Sequence, residues 1–148
     1  MPTRELYDLM VDKRGFLWIT HDLGVTRFDG INFTNFYNPK QTSLSGTGLL
    51  QDSEGRIWFN NFTGQIFYIQ NEKMHLLDGY DYKSESSFPR IAIYKDQLVA
   101  TSKKGLFFCD TKTADDKIPA LVVNKAKKMN FFIYINILYY NSNLLVNS

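Results

Sequence analysis

Apolar residues in this chain come in short runs broken by clusters of Gly, Asp, Asn and Ser, and a helical period of 3.6 holds nowhere. That pattern predicts strands. Over the first forty residues it places strands at 5–11, 16–20, 24–28 and 31–37, a tight turn at 12–15, a loop at 21–23 and a two-residue turn at Asp29-Gly30. Asp-Gly is a strong hairpin signal because both central positions of that turn need φ > 0. Residues 38–44, with Pro39 and Ser43, form a polar connection.

The same layout then recurs. Residues 9–19 laid over 49–59 align Asp12 with Asp52, Gly15 with Gly55 and Trp18 with Trp58, and the same spacing of 40 carries Gly24 onto Gly64 and Phe28 onto Tyr68. The second unit has Asn71-Glu72 at its last turn, a final strand at 74–77 and a loop at 78–87. In a third copy Leu98-Val99-Ala100-Thr101 stands where Leu17-Trp18-Ile19-Thr20 stands, Gly105 falls 41 residues after Gly64, and the last strand is at 118–123. Residues 140–148 parallel 94–102 and open a fourth copy.

Four short antiparallel strands at a period near 40 make the blade of a β-propeller, because such a sheet buries both faces only between stacked neighbours. The expected fold class is all-β, a partial β-propeller of about 3.5 four-stranded blades. Blade 1 is at 5–44, blade 2 at 45–83, blade 3 at 84–124, and the first hairpin of a truncated blade 4 at 125–148. The alternative is a β-sandwich whose hairpins happen to look alike.

The repeated residues read as builders of the blade. Trp18 and Trp58 are flanked by apolar residues on both sides, which suits a sheet packed between two others better than a stacking platform for sugars. Asp12 with Gly15, and Asp52 with Gly55, fit a hairpin turn in which the Asp side chain bonds backbone N–H groups two residues on; their spacing is wrong for a calcium loop. Gly24, Gly64 and Gly105 are expected to start strands where a side chain would obstruct.

Composition narrows the function classes. The 148 residues are 44% hydrophobic and 16% aromatic, enough for a packed core. Seventeen Lys and Arg against 15 Asp and Glu leave +2, scattered along the chain, so no nucleic-acid partner is expected. The single cysteine, Cys109, permits no internal disulfide and reads as a buried, inert thiol. Residues 131–146 are too short and too rich in Asn for a membrane span, and the N-terminus has no signal-peptide pattern. His21 and His75 sit in no metal-ligand spacing, and the inner strands offer only Glu5, Asp8 and Arg90, unpaired. These observations lead to the expectation of no enzyme activity, no cofactor and no metal.

The run Asp12-Lys13-Arg14-Gly15-Phe16-Leu17-Trp18-Ile19-Thr20, followed by Gly24-Val25-Thr26-Arg27-Phe28-Asp29-Gly30, resembles the two-component regulator propeller repeat, Asp-x-x-Gly-x-Leu-Trp-Ile-Gly-Thr-x-x-Gly-Leu-x-Arg-Tyr-Asp-Gly. Asp52-Ser53-Glu54-Gly55-Arg56-Ile57-Trp58-Phe59 matches well, with Phe67 and Gln70 in place of the usual Arg and Asp; the third unit keeps Gly105-Leu106 and Asp110. The resemblance covers roughly residues 5–110. It implies part of the extracytoplasmic sensor of a hybrid two-component system, a class in which propellers precede a membrane span and a histidine kinase and many members respond to polysaccharide fragments. The location it implies is periplasmic; the chain by itself carries no address.

In such a fold the loops between second and third strands share one end with the connections between blades. That end is expected to present His21, Asp22, Asn60, Asn61, Lys103 and Lys104, with parts of 38–45 and 84–88, and these are the candidate ligand residues. The expected partners are an oligosaccharide and further blades or a second copy of the chain, since open strand edges favour association. The competing readings are a fragment of a propeller-type lyase or hydrolase and a pure interaction scaffold.

Overall fold

A computed structural model describes residues 5–85, 88–103 and 105–111 of the chain. Strands β1 (Leu6–Val11), β2 (Leu17–His21), β3 (Gly24–Phe28) and β4 (Phe33–Phe36) form one antiparallel meander. β5 (Gly46–Gln51), β6 (Ile57–Asn61), β7 (Ile66–Gln70) and β8 (Lys73–Leu76) form a second, and β9 (Ile91–Tyr94), β10 (Gln97–Ser102) and β11 (Gly105–Asp110) a third. The architecture is a partial β-propeller. One helical turn, α1 (Tyr82–Glu85), falls within the loop expected at 78–87. The strand expected at 118–123, the hairpin at 125–148 and Lys104 lie outside the described residues.

Strand alternation decides which side chains meet. Trp18, Val25 and Phe36 of the first sheet pack against Ile57, Phe59, Phe67, Ile69 and Met74 of the second. Trp58, Ile66 and Tyr68, on the second sheet's other face, pack against Leu98, Ala100, Phe107 and Cys109 of the third. Each tryptophan therefore faces the sheet that follows it, 1% and 0% exposed. Both faces of the second sheet are covered, which accounts for the uninterrupted apolar character of β6 and β7.

The Asp-x-x-Gly turns are built as the spacing predicts, with one addition. Asp12 Oδ1 accepts the N–H groups of Arg14 (2.8 Å) and Phe16 (3.0 Å), and the Gly15 N–H closes the turn on the Asp12 carbonyl. Asp52 Oδ1 accepts the Arg56 N–H at 2.9 Å. The second oxygen of each carboxylate receives an indole N–H, Trp18 at 2.9 Å and Trp58 at 2.8 Å. A buried carboxylate and a buried indole satisfy each other.

Three local expectations are corrected. Phe28 pairs with Phe33, so residues 29–32 form a four-residue loop rather than a two-residue turn, with the Ile31 and Asn32 N–H groups on Asp29 Oδ1. Asn71 and Glu72, at φ 50 and 60, do make the two-residue turn that needs left-handed backbone at both positions. Tyr68 pairs with Trp58 as Arg27 pairs with Trp18, so Tyr68 is the counterpart of Arg27 and not of Phe28. One extra residue in the β6–β7 turn shifts the third strand; Gly64 lies in that turn, two residues ahead of β7. Gly24 and Gly105 do open strands, at φ 130 and 129, but a Cβ on Gly24 would meet nothing closer than 3.8 Å. Backbone conformation, not obstruction, requires glycine there.

Candidate functional site

The turn between second and third strands and the connection between sheets do share one end. Asp22 N–H donates to the Glu5 carbonyl, Phe62 N–H to the Ser45 carbonyl, and Ser45 Oγ to the Asp22 carbonyl at 3.4 Å. Half of the expected ligand residues are nevertheless consumed in building that end. His21 is the last residue of β2 and 4% exposed, not a loop residue; its Nε2 meets Thr26 Oγ1 at 2.8 Å and its Nδ1 accepts the Leu23 N–H. Burial lowers its pKa below the ordinary 6.5, with Asp22 opposing. Asn61 ends β6 fully buried, its amide donating to the Ser43 carbonyl and Gln65 Oε1 while its oxygen accepts from Thr63 and Gln65. Asn60 is also buried, and its Nδ2 has no partner among the described residues. Asp22 is half-buried and Lys103 exposed.

What the end does expose is an aromatic row of which sequence reasoning reached only Phe88, within 84–88, and missed Tyr7 and Phe62. Tyr7, on the innermost strand of the first sheet, stands edge-on to Phe62 of the second (centroids 4.7 Å, 62°). Phe62 in turn lies 5.4 Å from Phe88, just ahead of the third sheet's innermost strand. The row thus crosses three sheets, and Phe88 is 44% exposed. Charge sits at both of its ends. The Arg90 guanidinium lies 5.9 Å from the Phe88 ring, and Tyr7 Oη donates to Glu5 Oε2 at 2.5 Å, which raises the tyrosine's pKa above 10.0. Tyr7 and Phe88 stand at the spacing that carries Leu17 onto Leu98, but Phe62 lies in the turn between β6 and β7, so the period that reveals the fold does not reveal the row.

Of the inner-strand charges, Asp8 is structural: its Oδ2 accepts the N–H groups of both Gly48 and Leu49 at 2.9 Å and ties the first sheet to the second. Among the described residues no three His, Cys, Asp or Glu side chains converge as a metal site would require. No described helix is long and apolar enough to cross a membrane. A recess of about 210 Å³ at the outer edge of the second sheet brings together Lys40, Tyr68, His75 and Asp78, with His75 stacked on Tyr68 at 5.0 Å.

No protein-family model matches the chain, and no curated protein is similar to it. Solved structures are, and three of them are as follows. Virginiamycin B lyase from Staphylococcus aureus, in selenomethionine form, matches with a TM-score of 0.65 at 16% identity, over 86% of this chain and 44% of the lyase. A catalytically inactive variant of that lyase with quinupristin matches at 0.60 and 17%, over 74% of this chain and 40% of the other. The extracellular domain of a hybrid two-component system from B. thetaiotaomicron matches at 0.57 and 16%, over 86% of this chain and 17% of that domain. At such identities the likeness shows the propeller fold. The chain spans less than half the length of each. The expectation of no enzyme activity is overturned here: the same fold, matched at 0.65, carries a lyase.

Proposed function

We propose that the chain is a sensory, ligand-binding segment of an extracytoplasmic two-component sensor propeller, and that its ligand is carbohydrate-derived. The observation that carries this reading is the row Tyr7–Phe62–Phe88, with Arg90 and Glu5 at its ends. A pyranose ring offers an apolar C–H face that covers an aromatic ring and a rim of hydroxyls that needs charged or polar partners, and the row supplies both. Further support comes from the Asp-x-x-Gly-x-Φ-Trp repeat and from the two-component sensor domain among the similar structures. A periplasmic location and a kinase elsewhere in the parent protein belong to the same proposal.

The test is calorimetric titration of the chain with neutral oligosaccharides of several linkages. We expect binding by at least one, weakened roughly tenfold by Phe62→Ala or Phe88→Ala, the loss of about 1.4 kcal/mol of ring contact. Absence of binding across the panel defeats the reading. A second reading, a lyase-type activity, is favoured by the recess holding Lys40, Tyr68, His75 and Asp78; mass analysis of the same incubations distinguishes it, since a cleaved saccharide is turnover and an intact one is binding.

A further inference from the structure

At the opposite end of the molecule, where the first-to-second and third-to-fourth strand turns lie, a groove of about 370 Å³ separates the first sheet from the second. Its floor is Trp18, Ile57 and Ile69, and its rims carry Lys13, Arg14 and Arg27 from the first sheet and Glu54, Arg56 and Glu72 from the second. These charges differ in how fully they are already used. Arg56 is buried and committed to Asp52 at 2.6 Å. Asp12 takes three N–H donors, so Arg14, 60% exposed, reaches it only at 3.8 Å.

Arg27 is the unusual member. Its guanidinium is held over three rings, Phe16 at 4.9 Å, Phe36 at 5.6 Å and Trp18 at 5.7 Å, which leaves the side chain 13% exposed. Its Nε has no partner among the described residues. Its ion-pair partner is Glu72, at 2.6 Å from Nη1, carried on the two-residue β7–β8 turn of the other sheet and 59% exposed. A cation held on an aromatic bed thus meets a solvent-exposed carboxylate across a groove. Ion pairs with one partner so exposed exchange readily, because water solvates the released carboxylate.

We infer that this groove is a binding site for a small polycarboxylate, in which one ligand carboxylate replaces that of Glu72 on Arg27 and a second is held by Lys13 and Arg14. The Glu72 contact itself displays the chemistry, one carboxylate oxygen accepting from Arg27 Nη1; a second carboxylate on the same ligand can reach Lys13 and Arg14, whereas a compact tetrahedral oxyanion offers only one end of the groove a partner. Ligand entry would release the β7–β8 turn from the first sheet. The inference stands apart from the aromatic row and does not depend on the carbohydrate reading.

The test uses the whole chain at low ionic strength, with citrate as probe and inorganic phosphate as control, read by calorimetry. Citrate should bind, and phosphate should bind roughly tenfold more weakly. Glu72→Gln removes the internal competitor and should tighten citrate about threefold. Lys13→Gln with Arg14→Gln, both at exposed positions, should weaken it about fivefold with the circular dichroism spectrum unchanged. No citrate binding by either the parent or the Glu72→Gln chain, equal affinity for phosphate and citrate, or an affinity that Glu72→Gln leaves unchanged or lowers would each overturn the inference.

Discussion

Asp52 holds Trp58 by the indole nitrogen at 2.8 Å, six residues along the chain, and the same carboxylate oxygen holds the Arg56 guanidinium at 2.6 Å. Arg56 reaches on to the Thr111 carbonyl at the end of the third sheet. One carboxylate therefore anchors a turn, a core aromatic and the neighbouring sheet. Asp52→Ala leaves a buried cation without its counter-ion and a buried indole N–H without its acceptor, and should cost about 3–5 kcal/mol in urea unfolding. Asp12→Ala should cost less, about 2 kcal/mol, because Arg14 is exposed and is solvated when its partner goes. Equal losses for the two would refute this account.

Glycine substitutions should separate by their surroundings. Gly15 and Gly48 both have left-handed backbone, at φ 86 and 77, but a Cβ on Gly15 meets nothing within 4 Å, whereas one on Gly48 lies 2.8 Å from Asn60 Oδ1. Gly15→Ala should cost about 1 kcal/mol and Gly48→Ala about 2–3 kcal/mol, the excess coming from a buried amide that must move. Gly48 also sits where Asp8 joins the sheets, so its N–H should lose hydrogen-exchange protection in Asp8→Ala.

Stability should fall on mild acidification through His21. Its Nδ1 accepts the Leu23 N–H, so the ring is neutral with the proton on Nε2, and burial lowers its pKa from 6.5. The unfolded chain therefore binds more protons than the folded one below that value. The contribution is complete above pH 6.5 and is lost as pH drops beneath it. Between pH 8 and 5 the melting temperature of the parent should decline more steeply than that of His21→Gln; parallel curves would dismiss the histidine as the cause.

Cys109 should be unreactive while the chain is folded. It is 0% exposed, and burial pushes its thiol up to about 11, so the thiolate that reacts with a disulfide reagent is scarce at pH 8. Labelling should rise only across the urea transition, and complete labelling of native protein within minutes would contradict the burial.

The fold was legible because its determinants repeat. Trp18 and Trp58, Asp12 and Asp52, Gly15 and Gly55 recur at one spacing, and each pair occupies matching places in successive sheets. What escaped the sequence depends on relations that have no period. The extra residue in the β6–β7 turn is invisible because Gly64 still aligns with Gly24, while pairing moves Tyr68 one place along. His21, Asn60 and Asn61 look like polar loop residues, yet β2 and β6 run on through them and bury them. The aromatic row and the Arg27–Glu72 pair join residues from different sheets, and no spacing within one unit announces them.

Because Trp18 and Trp58 both look toward the following sheet, the stack has a front and a back that differ in chemistry. Leu9 and Val11, on the rear of the first sheet, are 56% and 66% exposed, although the matching side of the second sheet is covered. Covering Leu9 and Val11 as the rear of the second sheet is covered takes the forward side of another such sheet, the side on which the indoles lie here.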